Sequence, residues 1–119
     1  MNLNNIIWQQ IFGGTVDSNG KFINSSGGFQ NPKTTKFSSD IKCAWQIVKA
    51  MKKNGYKFYL SDCITEDDKW MCYFLHVRSG RAPGKVQKYT EDENVCEAIC
   101  FAAIEALKSK TKRFRKKPY

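Results

Sequence analysis

Histidine is almost missing from this chain: His76 is the only one in 119 residues. A zinc site draws on clustered Cys and His ligands, so a metal centre has little to work with. The five cysteines, Cys43, Cys63, Cys72, Cys96 and Cys100, are odd in number, scattered, and contain no CxxC pair. With nothing pointing to secretion, they read as reduced, mostly buried thiols that act as small hydrophobes, not as a disulfide frame. No apolar run approaches the roughly 20 residues that cross a bilayer. The opening MNLNNIIWQQ has neither a basic n-region nor a long apolar h-region, so it does not read as a secretory signal. A cytosolic setting is therefore expected. Acid is absent from the last twelve residues, which is the most informative gap of all.

Those twelve residues hold Lys108, Lys110, Lys112, Arg113, Arg115, Lys116 and Lys117, seven of the twenty bases. Residues 1–107 keep 13 bases against 11 acids, so +7 of the net +9 is local to the end. Such a cluster attracts polyanions by releasing condensed counterions, and its field fades within about 10 Å in salt. A nucleic acid, a nucleotide, an acidic protein or an anionic surface fits this charge. So does a solubilising tail.

Hydrophobic residues make up 41% and aromatics 13%, the composition of a folded chain and not of a disordered one. The length suits one domain. Residues 3–12 place Leu3, Ile6, Ile7 and Ile11 at helical spacing, ended by Gly13 and Gly14. Asn19-Gly20 between Val16 and Phe22 predicts a hairpin, and the polar residues 24–36 predict a loop. Ser38, Ser39 and Asp40 offer caps for a second helix. Its apolar stripe is read as Ile41, Ala44, Trp45, Val48 and Met51, with Asn54-Gly55 as the stop. Strands are expected over 56–64, 70–78 and 85–89, the first two joined by the acidic turn Glu66-Asp67-Asp68. In the middle strand both side-chain sets are apolar, which predicts helices on both faces of the sheet. A last helix is expected to begin at Thr90, where Thr90 and Glu93 match a capping box, and to bury Cys96, Ile99, Cys100, Ala103 and Leu107. The expected fold is α+β, an antiparallel sheet sandwiched between helices in the order α-ββ-α-βββ-α. Residues 1–107 form the domain and 108–119 a basic, flexible tail.

No catalytic constellation stands out, and no cofactor is implied. The run 80–85 (GRAPGK) superficially resembles a phosphate-binding P-loop. It is one residue short, lacks the following Ser or Thr, and leads into a strand. Glu66, Asp67 and Asp68 read as solvated turn residues, and His76 as a structural histidine. Binding chemistry is better supplied. Arg78, Arg81 and Lys85 flank a Gly/Pro loop suited to phosphate or carboxylate oxygens. In the tail, Phe114 and Tyr119 stand among the bases and could stack on nucleobases.

Residues 37–51 (FSSDIKCAWQIVKAM) and 94–107 (NVCEAICFAAIEAL) carry a pattern that resembles the phage ABA-sandwich domain, a small module of bacteriophage and prophage genomes. The likeness rests on Ala44-Trp45, on Trp70 in the following strands and on Ala98-Ile99-Cys100, with the opening helix and Gly13-Gly14 also similar. It covers most of residues 3–107. These are mainly packing residues, so the resemblance implies fold and phage origin and carries over no catalytic or ligand residue. The basic tail and the NSSGG connection are longer than the pattern. A likeness to double-stranded-RNA-binding domains is topological only. A small phage protein with no enzymatic signature is expected to act by binding, in the host cytoplasm, either blocking a host defence protein or nucleoprotein complex, as an anti-CRISPR does, or sequestering a signalling nucleotide. The alternative is a basic nucleic-acid-binding accessory protein. An unrecognised enzyme or structural component is a third reading.

Overall fold

Asp40 starts the first well-defined element. Its carboxylate accepts the Lys42 N–H at 2.9 Å, capping helix α2 (Ile41–Lys53). The computed structural model describes residues 2–24, 26–31, 35–63, 65–77, 86–90 and 93–115, with side chains as far as 108. Ahead of α2 come α1 (Leu3–Gln10) and a small antiparallel sheet of β1 (Thr15–Val16), β2 (Phe22–Ile23) and β3 (Phe29–Gln30). After α2 comes the main antiparallel sheet of β4 (Tyr56–Asp62), β5 (Trp70–His76) and β6 (Gln87–Tyr89), in that spatial order, and then α3 (Val95–Arg115). The class is α+β and the element order is the expected one with one strand added. That strand, β3, lies in what the sequence presents as loop. It forms because Asn24 Oδ1 accepts the N–H groups of Ser26 at 3.0 Å and Gly28 at 2.8 Å, which turns the chain back on β2.

One side chain ties the N-terminal part together. The Trp8 indole N–H donates to Thr15 O at 2.9 Å and Ile23 O at 3.2 Å, linking α1 to β1 and β2. It passes over Gly14, where a Cβ would sit 2.2 Å from Trp8 Nε1, so only glycine fits. Trp8 stacks on Phe22, and Phe12 on Phe37, which carries the core across to the start of α2.

Helix α3 is the hub. It packs against β5, β6, α2 and α1. It begins at Val95 and not at Thr90. The Glu93 carboxylate does accept the Thr90 N–H at 2.7 Å, half of the expected box. The cap, however, is Asn94, whose Oδ1 accepts the Cys96 N–H at 2.9 Å while its amide donates to Ser38 O. Cys96, Ile99, Cys100 and Ala103 are buried as expected, Ala98, Ala102 and Ala106 widen the stripe as their spacing predicts, Ile104 joins them, and Leu107, expected inside, is half-buried against the core.

The sheet meets the helices on one face. Tyr56, Cys72, Phe74 and Tyr89 belong to the core with the buried residues of α2 and α3, and Phe58 packs against it. The register Tyr56↔His76, Phe58↔Phe74 and Trp70↔Tyr89 places these residues on a common side. The other side carries Lys57, Tyr59, Met71, Tyr73, Leu75 and Lys88, all exposed or half-buried. None of these residues belongs to the buried core cluster. The Tyr59 and Tyr73 rings instead stack on each other, centroids 4.9 Å apart at 17°.

Candidate functional site

The cations singled out in sequence fall into two groups. Arg78, Arg81, Lys85, Lys116 and Lys117 lie outside the described residues. Lys108 is exposed and pairs with Glu105 at 3.6 Å. Lys110, Lys112, Arg113 and Arg115 stand on the backbone of α3, which continues to Arg115 instead of stopping at Leu107. Bases at a helix C-terminus are favoured by the helix dipole, which offers a local reason for the extension.

A different surface is fully described, and the sequence reading missed it. Helix α2 buries Ala44, Ile47, Val48 and Met51. Ile47, left out of the expected stripe, is 0% exposed, whereas Ile41 and Trp45, included in it, are 53% and 48% exposed. Trp45 was expected in the core beside Phe74, Ile99 and Cys100. Those three are buried, and Trp45 is not. The physical reason is rotation: successive residues turn about 100° around a helix, so packing centred on Ala44, Ile47 and Met51 carries Trp45 past the rim. The signal was present in the basic residues, since Lys42, Lys49 and Lys52 surround Trp45 on the helix surface at the i−3, i+4 and i+7 positions.

Trp45 leans edge-on against Phe58 of β4, centroids 6.3 Å apart at 87°. Along the same side of β4 follows Leu60, 49% exposed, and across the register from Asp62 stands Trp70, 37% exposed. Ile41, Trp45, Phe58, Leu60 and Trp70 thus form an apolar ridge where α2 overlies the outer strand. Beside it Lys42, Lys49, Lys52 and Lys53 of α2 are exposed, as is Lys57 on the other face of β4, and none makes an ion pair among the described residues. The ridge is oily and has positive charge beside it.

The remaining chemistry is quieter. Burial pushes the thiols of Cys72 and Cys100 up to about 12 and raises that of Cys96, so all three stay protonated and poorly nucleophilic. All five cysteines are free thiols. His76 packs its ring edge-on to Tyr56 at 4.9 Å. Of the acidic turn, Glu66 accepts from Lys88 Nζ at 3.0 Å, and that hydrogen bond holds its carboxyl below the usual range. Asp67 and Asp68 are exposed. Among the described residues, no three His, Cys, Asp or Glu side chains come together as a metal site.

The fold is that of a small α+β protein with an exposed apolar ridge beside a group of lysines. Among the described residues no helix is long and apolar enough to cross a membrane. Residues 5–104 match the family model of the phage ABA sandwich domain, and the chain belongs to that family. It is accordingly a phage accessory protein. No curated protein and no solved structure matches it.

Proposed function

We propose that this protein acts without catalysis, as a counter-defence protein that binds a host defence factor and blocks it. The observation that carries the reading is the exposure of Ile41, Trp45 and Leu60 together, beside lysines free of ion pairs. Half-exposed aromatic and aliphatic side chains in one patch are costly in water and typical of interface centres. The lysines supply steering toward an acidic partner. A phage accessory protein needs such a surface if its task is to occupy a host protein.

The test is infection of a defended host expressing the protein, alongside an undefended control. Plaque formation is expected to rise in the defended host alone, and a Trp45→Ala/Leu60→Ser double variant is expected to lose the effect while remaining folded. Equal plaque counts with and without wild-type protein, over a panel of defence systems, would reject the reading.

The seven bases of the last twelve residues favour a second reading, binding of nucleic acid. Deleting residues 108–119 is then expected to weaken oligonucleotide binding and flatten its salt dependence, since fewer counterions are released. Replacing Arg78 and Arg81 with alanine is expected to hurt recognition of a phosphate-bearing ligand while sparing bulk attraction. For a protein partner the tail deletion mainly slows association.

A further inference from the structure

Resting on the reading of this chain as a protein-binding protein, we propose that the outer edge of β4 takes up an extended, acidic segment of the partner as an added strand. The segment would lie along β4, beside the helix α2 that packs on that strand. Strand β4 is seven residues long and keeps an unbroken register with β5, its single neighbour among the described strands. The register continues past both ends, where Val77 N–H donates to Gly55 O at 2.9 Å and Cys63 N–H to Lys69 O at 3.0 Å. In an antiparallel ladder bonded and unbonded pairs alternate. Residues 55, 57, 59, 61 and 63 therefore bond toward β5. Phe58, Leu60 and Asp62 turn their N–H and C=O groups to the open side, where the contact among the described residues is a long Ser61 hydroxyl donation to Asp62 O at 3.4 Å. Sheets usually blunt such an edge with a bulge, a proline, brevity or charge. Strand β4 carries Lys57 and Asp62 but has no bulge or proline and is seven residues long.

This edge also specifies its occupant. On the helix side an incoming strand meets Ile41, Trp45, Phe58 and Leu60, so its side chains there should be apolar. Its alternate side chains would face Lys57 on the other side of β4 and should be carboxylates, and the exposed Lys42, Lys49 and Lys52 of α2 add positive charge nearby that favours an acidic segment overall. A second copy of this chain would set these lysines against their own counterparts. A nucleic acid has no amide ladder to pair with the edge. An acidic polypeptide satisfies both the backbone and the charge.

Hydrogen exchange on the full chain tests this with synthetic peptides of alternating valine and glutamate, or valine and lysine. The glutamate peptide is expected to slow exchange at the Phe58, Leu60 and Asp62 amides and to bind roughly tenfold tighter than the lysine peptide. Methylating alternate peptide nitrogens should abolish binding. Leu60→Pro removes one outward N–H while sparing the bonds to β5, and it should lose the peptide while its circular dichroism is unchanged. If that variant does not fold, Lys42→Glu/Lys49→Glu decides instead, by inverting the preference toward the lysine peptide. Protection elsewhere, unchanged binding by the variants, self-association through β4 in sedimentation, or protection of these amides by an oligonucleotide alone would each overturn the proposal. Should Leu60→Pro keep full activity against a host defence, the edge proposal fails and the counter-defence reading stands. Should the glutamate peptide dock at β4 while no defence is blocked, the reverse holds.

Discussion

Helices α2 and α3 lie side by side on one face of the main sheet, yet they meet solvent in opposite ways. Helix α3 is buried around most of its girth, from Ala98 through Ile99, Cys100 and Ala103 to Ile104, because small residues let the sheet, α2 and α1 approach it from several directions. Helix α2 buries one narrow stripe and presents Ile41 and Trp45 to water among lysines. The difference teaches where stability resides. The protein is held together through α3, while α2 holds the main sheet on one side and leaves its other side in water, where the proposed function places the partner.

The sharpest way to break the comparison is to remove volume from α3. Ile99→Ala is expected to cost about 2–5 kcal/mol, as core truncations of this size do, measured by denaturant unfolding. Overpacking should come next: Ala103 is 0% exposed, and Ala103→Leu is expected to cost about 1–3 kcal/mol. Trp45→Ala should be much milder in the same experiment, about 1 kcal/mol, since it forfeits an edge-on contact with Phe58 and not a core position. A loss as large as that of Ile99→Ala would place Trp45 on the structural side after all. The smallest effect belongs to the Lys88–Glu66 contact. The Glu66 carboxyl is held below its ordinary value of 4.5, so its contribution is present above that value and is lost as pH falls through the lowered one. The melting temperatures of wild type and Lys88→Ala should therefore differ slightly at neutral pH and converge in acid.

Much of this architecture is legible in the residues themselves. The Asn19-Gly20 hairpin, the Asp40 cap, the main strands and the buried positions of α3 follow from turn chemistry and periodicity. What periodicity does not resolve is the rotation of a stripe by a single residue. Trp45 and Ile47 sit close to opposite rims of α2, and only the helix's neighbours decide which of them turns inward. Two-sided apolarity in β5 does not by itself grade the burial of its faces. Met71, Tyr73 and Leu75 resemble core residues but are half-buried, and Tyr73 stacks on Tyr59 across the strand pair. Strand β3 was hidden because it is two residues long, Phe29–Gln30, inside a polar run rich in Gly, Ser and Asn, where a single Phe makes no alternating pattern. The start of α3 slipped because Thr90 and Glu93 make a genuine turn just upstream of the real cap. In the nominated site, the loop cations lie outside the described residues, while the α2–β4 ridge was concealed inside a stripe assigned to the core.

The chain's three tryptophans divide along this same line, and that division makes the molecule its own optical probe. Trp8 is 3% exposed with its indole N–H engaged twice, so its fluorescence should be blue-shifted and shielded from acrylamide. Trp45 and Trp70 stand in water and should emit to the red and quench readily. Unfolding of the N-terminal part can then be followed through the shielded emission. Occupation of the ridge can be followed through the quenchable emission, in one cuvette and without a label.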